Sequence, residues 1–136
     1  MEPELIFHHI GIACHSIERT CPFYVAQGYT AAPVVDDPVQ RVRVCFLDKA
    51  SAPRLELLEP LDDRSPVART LSTAGVTPYH LCYEVADIEA AIVMLRHQRF
   101  LLVSGPVEAP AIDSRRVAFL FKKDTGLIEL VEHAAT

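Results

Sequence analysis

The chain repeats itself, and this internal repeat limits the folds open to it more than any other feature. His9 matches His80 at a spacing of 71 residues, and Glu56 matches Glu129 at a spacing of 73 residues. Further pairs that keep the spacing of 71 are Ile17 and Ile88, Glu18 and Glu89, and Gln27 and Gln98. The two halves therefore encode the same structural unit, and a unit of this length is too small to bury a sheet by itself.

Hydrophobic periodicity predicts one order of elements in both halves: a strand, a helix and three strands. In the first half we predict strands over residues 5–13, 29–35, 42–47 and 54–59 and a helix from Ser16 to Gln27. In the second half we predict strands over residues 79–85, 100–103, 117–121 and 127–131 and a helix that follows Asp87. The apolar stripe of that second helix is Ile88, Ala91, Ile92 and Leu95.

These elements predict an α+β fold of two tandem βαβββ modules that form a curved mixed sheet around a shared cavity. The first module covers about residues 5–60 and the second about residues 77–133. A polar segment and a short helix around residues 67–73 connect them, within 61–76. We expect the whole chain, residues 1–136, to be a single domain of this kind.

Composition excludes several classes of function. The 136 residues are 50% hydrophobic, enough for a core, and the net charge of −5 argues against binding to nucleic acid. No apolar run approaches the length of a membrane span, and the acidic start lacks the pattern of a signal sequence. The four cysteines form no CxxC pair. We therefore expect a cytoplasmic protein with structural thiols.

The repeat also singles out a candidate metal site. Each first strand carries a histidine, His9 or His80, and each last strand carries a glutamate, Glu56 or Glu129, inside an apolar run. A carboxylate buried without a partner costs several kcal/mol, so such a glutamate pairs, reaches water or binds a cation. If the first and last strands of each module lie side by side, two imidazoles and two carboxylates converge. This donor set favours a divalent ion of cobalt, manganese, nickel, zinc or iron over calcium or magnesium.

The remaining chemically active residues have weaker patterns. His8 is expected on the strand face opposite His9, and Cys82 on the same face as His80, as a small buried residue. Arg115 and Arg116 either bind an anionic group or form a solvated strand end. The histidines expected at the solvated surface are His15, His97 and His133.

Four runs of sequence resemble a known family. They are FHHIGIA over residues 7–13, LELLEPL over 55–61, YHLCYEVADIEAA over 79–91 and VAFLFKKDTGLIELVE over 117–132. In this order they resemble the vicinal oxygen chelate superfamily, and within it the methylmalonyl-CoA epimerases and their glyoxalase-like relatives. The resemblance implies paired βαβββ modules, a homodimer, and a divalent metal held by His9, Glu56, His80 and Glu129.

The resemblance also implies a reaction, a metal-assisted proton transfer at the carbon next to a carbonyl. Glu129 is the expected base and Glu56 its counterpart, acting on an acyl thioester or a related carbonyl compound. Epimerisation of the methylmalonyl-CoA type and glyoxalase-type isomerisation of a hemithioacetal both fit. Some epimerases carry an additional acid on the third strand of the first module, where this chain has Val44.

Two other uses of the same fold stay open. A non-catalytic protein that binds small molecules needs no set of four metal ligands, so the four candidates weigh against it. Ring-cleaving dioxygenases bind iron through two histidines and one carboxylate, and a fourth protein ligand weighs against that reaction.

Overall fold

The predicted order of elements occurs twice in residues 2–134, the part of the chain that the computed structural model describes. The first copy consists of β1 (Ile6–Ala13), α1 (Ile17–Ala26), β2 (Thr30–Ala31), β3 (Val35–Asp37), β4 (Val42–Asp48) and β5 (Leu55–Pro60). A helix, α2 (Pro66–Ala74), follows. The second copy consists of β6 (Thr77–Val85), α3 (Ile88–His97), β7 (Leu101–Ala109), β8 (Arg115–Lys122) and β9 (Gly126–Glu132). The α+β class and the repeated βαβββ order are thereby confirmed.

The chain divides into two compact units, which we call the first unit and the second unit. The first unit comprises residues 9–79. The second unit comprises residues 80–134 together with residues 2–8, which come from the start of the chain. No helix within residues 2–134 has both the length and the apolar character that crossing a membrane requires.

In the first unit, β5 is the central strand. It pairs antiparallel with β4 on one side and parallel with β1 on the other, and β2 and β3 both pair with β4. Helix α1 begins after Ser16, whose hydroxyl oxygen accepts a hydrogen bond from the backbone N–H of Arg19 at 3.2 Å. The apolar core contains Ile12, Cys14, Ile17, Tyr29, Cys45, Leu47, Leu55 and Leu57.

The second unit has the same arrangement around β9. This strand pairs parallel with β6 and antiparallel with β8, and β7 is the outer strand on the far side of β8. Asp87 begins α3 by accepting a hydrogen bond from the N–H of Ala90 at 3.0 Å. The predicted stripe of α3 is buried in a core with Val85, Phe100, Ala118, Leu120, Ile128 and Leu130.

Two strand predictions were wrong in extent. The strand predicted over residues 29–35 is split into β2 and β3, and Asp36 and Asp37 belong to β3. Pro33 lies in the gap, where a residue without a backbone N–H cannot continue the ladder. β7 is longer than predicted, because it continues past Ser104 through shifts in register. A side chain at Gly105 would approach the carbonyl oxygen of Val117 to 2.5 Å, so this continuation requires glycine.

Candidate metal centre

The first unit brings His9 and Glu56 together inside its sheet. β1 and β5 are adjacent parallel strands, with Gly11 opposite Glu56, and this register places the two side chains on one face. The Nε2 atom of His9 lies 3.1 Å from the Oε1 atom of Glu56. His9 is fully buried and Glu56 is 4% exposed. The ring of Phe46, on β4, contacts the imidazole edge-on with the ring centres 5.1 Å apart.

The second unit repeats this arrangement with His80 and Glu129. The Nε2 atom of His80 lies 3.0 Å from the Oε1 atom of Glu129, and both side chains are buried. Cys82 is opposite Glu129 in the parallel pairing of β6 with β9. Phe119, on β8, contacts the His80 imidazole edge-on at a ring-centre distance of 5.2 Å. In each unit the first strand and the last strand therefore lie side by side, which is the condition on which the convergence of the four side chains depends.

Each pair has the geometry of two neighbouring ligands of one ion. A nitrogen and an oxygen that bind a metal at about 2.1 Å and at a right angle are about 3.0 Å apart. The measured separations of 3.1 Å and 3.0 Å match this value, and a hydrogen bond between histidine and carboxylate in the metal-free protein has the same length. The donor atoms of both pairs thus fit a divalent transition ion.

Comparison with known proteins places the chain in a family. The profile of the Glyoxalase/Bleomycin resistance protein/Dioxygenase superfamily matches residues 8–119. The chain belongs to this superfamily. Its relatives within the superfamily include a human protein, "Methylmalonyl-CoA epimerase, mitochondrial", which is 34% identical over 128 residues, 90% of this chain and 71% of the relative.

Two further similarities involve bacterial members of the superfamily. The ethylmalonyl-CoA/methylmalonyl-CoA epimerase of Cereibacter sphaeroides is 30% identical over 90% of this chain and 94% of its own length. The solved structure of a variant methylmalonyl-CoA epimerase from Streptomyces coelicolor, in complex with 2-nitronate-propionyl-CoA, superposes with a TM-score of 0.84. That pair is 30% identical, and the match covers 97% of this chain and all of the other.

The last strand of each unit, β5 or β9, carries a second glutamate whose role differs from that of the candidate ligand. Glu59 and Glu132 follow the candidate ligands by three residues, so strand alternation turns them to the opposite face of the sheet. There the Oε1 atom of Glu59 accepts a hydrogen bond from the N–H of Ile17 at 2.8 Å, at the start of α1. The Oε2 atom of Glu132 accepts one from the N–H of Ile88 at 3.2 Å, at the start of α3.

These two capping carboxylates had no assigned role at the sequence level. The signal that could have found them was present, because Glu59 and Glu132 keep the repeat spacing of 73 residues, as does the pair Phe46 and Phe119. A negative charge at a helix N-terminus satisfies unpaired N–H groups and the positive end of the helix dipole. The repeated glutamates therefore serve two separate purposes, one pair at the candidate centre and one pair at the helices.

Arg115 and Arg116 bind carboxylates of the protein itself. The guanidinium of Arg116 donates hydrogen bonds to Glu132 and to both carboxylate oxygens of Glu89. Arg115 donates to the backbone oxygen of Glu132 and to the carboxylate of Glu84. The hydrogen bonds from Arg116 hold the pKa of Glu132 below its ordinary value of 4.5. The arginines are thus part of the strand-to-helix contact in the second unit.

The three histidines predicted at the surface are exposed, and Cys82 is buried as predicted. His15, His97 and His133 are exposed, and Cys82 is fully buried. His8 is partly buried.

Proposed function

We propose that the protein is a metal-dependent epimerase that inverts the stereocentre of a 2-substituted malonyl thioester, such as methylmalonyl-CoA. The observation that carries this proposal is the duplicated buried pair of histidine and glutamate, His9 with Glu56 and His80 with Glu129. The relatives named as epimerases of methylmalonyl-CoA and ethylmalonyl-CoA support the substrate class. The bound 2-nitronate-propionyl-CoA in the Streptomyces coelicolor structure supports an acyl-CoA ligand.

We propose that the two pairs together hold one divalent ion of cobalt, manganese, nickel, zinc or iron. Two imidazole nitrogens and two carboxylate oxygens are a donor set that such ions accept. Their burial supports this, since carboxylates in an apolar sheet gain stability from a cation. When bound, the ion supplies electrophilic stabilisation of the negative charge that develops on the substrate's carbonyl oxygen.

The side chains supply the proton transfer. Glu129 is the proposed base, and its carboxylate takes the proton from the carbon between the thioester and the carboxylate of the substrate. The Oε1 atom of Glu129 lies 3.0 Å from the Nε2 atom of His80, and the ring of Phe119 packs edge-on against that imidazole. Epimerisation also needs a proton on the opposite face of the same carbon. Glu56, which the repeat relates to Glu129, is the proposed group for that face.

A second candidate is glyoxalase-type isomerisation of a hemithioacetal. The observation that favours it lies on β4, whose residues paired with Pro60, Leu58 and Glu56 are Val42, Val44 and Phe46. Within the described residues, the one acid on this face of β4 is Asp48, which is exposed and accepts a hydrogen bond from Arg54. A reaction that uses only the carboxylates at the metal is compatible with such a face.

One assay distinguishes the candidates. The cobalt-loaded protein is incubated in deuterated water with methylmalonyl-CoA, and in parallel with the hemithioacetal of methylglyoxal and a thiol, and deuterium uptake is followed by NMR. The epimerase proposal predicts exchange of the α-proton of methylmalonyl-CoA. Exchange of the hemithioacetal alone would establish the second candidate, and exchange of neither would favour a non-catalytic binding protein.

We further propose that the protein is cytoplasmic and acts as a homodimer. Helix α3 gives no support to the dimer, because its apolar residues Ile92 and Leu95 are buried in the core and Val93 is exposed. Support comes instead from the outer strand β7, where Leu101 is 69% and Val103 is 59% exposed. Sedimentation at micromolar concentration is expected to give twice the chain mass of 15.1 kDa. A single species of the chain mass would contradict this proposal.

A further inference from the structure

A side cavity in the first unit contains cysteines that the proposed reaction does not use. It has a volume of about 1070 Å³ and lies between α1 and the strands β2, β3 and β4. Cys21 of α1 and Cys45 of β4 both line it. Cys45 is on the helix-facing side of β4, because its neighbour Phe46 contacts His9 on the other side. The cavity is therefore separated from the candidate metal centre by the thickness of the sheet.

The two cysteine side chains in this cavity belong to one core and differ in exposure. Cys21 packs against the core cluster that contains Cys45, so both thiols lie in the contact between α1 and β4. Cys45 is 2% exposed and donates a hydrogen bond to the backbone oxygen of Ala32 at 3.4 Å. Cys21 is partly exposed, and both thiols are free. A third thiol, Cys14, is fully buried in the same core.

The second unit shows what the fold requires at these three positions. The residues that the repeat spacing relates to Cys14, Cys21 and Cys45 are Val85, Ile92 and Ala118. All three are buried in the core beneath α3. Ordinary aliphatic side chains thus satisfy the packing between helix and sheet, and packing alone gives no reason for sulfur in the first unit.

We propose that Cys21 and Cys45 form a reversible disulfide when the protein meets hydrogen peroxide, so that the side cavity is a redox modification site. The sulfur of Cys21 attacks one peroxide oxygen, the O–O bond breaks, and a sulfenic acid and one water result. The sulfur of Cys45 then displaces the hydroxyl group, which leaves as a second water. Two thiols are oxidised to one disulfide and one peroxide is reduced to two waters.

The order of the two steps follows from the surroundings of each sulfur. Cys21 is reached through the open cavity, whereas burial raises the pKa of Cys45 to about 11 and keeps it a thiol at neutral pH. Cys45 therefore acts second, on a sulfenic acid already beside it. Cys14 is fully buried and is not among the residues that line the cavity, and burial raises the pKa of its thiol to about 11, so it stays out of the reaction.

The test counts thiols in the folded protein. The reduced, purified chain is treated with a small excess of hydrogen peroxide, denatured, and titrated with a thiol reagent, and peptides are mapped by mass spectrometry. We expect the thiol count to fall from the four cysteines of the chain to two, with the new bond between Cys21 and Cys45. Dithiothreitol should restore four thiols. A count that stays at four, or a bond that maps elsewhere, would overturn the proposal.

Two variants make this test more specific, because each replaces a cysteine by the residue type at the related position of the second unit. Cys45→Ala and Cys14→Val introduce the side chains that the second unit uses at the related positions. Cys14→Val keeps the pair and should lose two thiols like the wild type. Cys45→Ala should form no disulfide and should leave a sulfenic acid on Cys21 that reacts with dimedone. A disulfide in Cys45→Ala would contradict the assignment, and the wild-type mapping decides the matter without any variant.

Discussion

Glu129 and Glu132 lie three residues apart on β9, and the groups that contact them give them different roles. Glu129 is 3% exposed and meets an imidazole nitrogen, whereas Glu132 meets a guanidinium and a helix N–H on the opposite face. A carboxylate beside an imidazole can bind a metal or a proton. A carboxylate already engaged by arginine and backbone N–H groups has little capacity for either. The face of the strand on which each glutamate lies thus decides whether its carboxylate can bind a metal or caps a helix.

This contrast provides a matched pair of variants for the proposed base. In Glu129→Gln the amide oxygen can still coordinate an ion, but the side chain cannot accept a proton at neutral pH. We expect metal to be retained with weaker affinity, and deuterium exchange into the substrate to fall by about 10² to 10⁴-fold. Metal analysis and deuterium NMR measure the two effects separately.

The control for that variant is Glu132→Gln, the same chemical change on the other face of β9. It should leave the exchange rate of the folded protein close to that of the wild type. If Glu129→Gln exchanged as fast as the wild type, another group would have to be the base.

At the level of single residues, much of the candidate centre could be predicted from the sequence. His9, Glu56, His80 and Glu129 share repeat spacings, and an acidic side chain inside an apolar strand is costly enough to need a reason. The capping role of Glu59 could not be predicted in the same way. Strand alternation gives its face, but only the packed helix shows that an N-terminus lies there.

Each main helix is tied to the sheet at its first turn by a charged side chain from the last strand. In the second unit Glu132 caps α3 and also accepts hydrogen bonds from Arg116, which in turn binds Glu89 in the first turn of α3. In the first unit Glu59 caps α1, and Arg43 lies 3.8 Å from it. The second unit therefore has the more extensive ionic network at this element.

The ionic network makes the stability of the second unit depend on pH. Hydrogen bonds from Arg116 lower the pKa of Glu132 in the folded state below 4.5, its value in the unfolded chain. Folding is therefore favoured by the ionised carboxylate above pH 4.5, and this contribution is lost as the pH falls through the folded-state pKa. Glu132→Gln should lower the free energy of unfolding by about 1 kcal/mol at pH 7, the typical value of a helix cap.

Urea unfolding between pH 7 and pH 3 measures this dependence. The difference between wild type and Glu132→Gln should shrink below pH 4.5. The exposed Glu2 offers a control, and Glu2→Gln should change the unfolding free energy little at any pH. A difference for Glu132→Gln that stayed constant down to pH 3 would show that charge plays no part.

The boundaries of strands were harder to predict where proline or glycine interrupts the hydrophobic pattern. Residues 29–35 have the composition of one strand, yet Pro33 divides them into β2 and β3. Residues 104–106 look like a turn because they contain Ser104, Gly105 and Pro106, yet β7 continues through them. In both cases the outcome depends on pairing with a neighbouring strand, which no local pattern reports.

For the whole molecule, the proposed metal would act as a stabilising ligand. An ion that binds only the folded chain adds about 2.7 kcal/mol at 100 times its dissociation constant. Thermal melts of the cobalt-loaded protein should therefore exceed those of the chelator-treated protein by several degrees.

The double variant His9→Ala/His80→Ala removes one proposed ligand from each pair and should melt at the same temperature with and without cobalt. Glu2→Gln, which changes an exposed residue, should keep the full difference. Equal melting temperatures for the loaded and the metal-free wild type would contradict the metal site.

The membership of residues 2–8 in the second unit has a consequence for protein synthesis. Leu5 packs on the core beneath α3, and the ring of Phe7 contacts that of Tyr83, so this segment needs partners encoded much later. The ribosome adds the 124 residues from His9 to Glu132 in roughly 6 to 25 seconds at typical translation rates. During that interval Leu5, Ile6 and Phe7 form an apolar segment on the nascent chain, open to chaperones and to other nascent chains, until β9 leaves the ribosome.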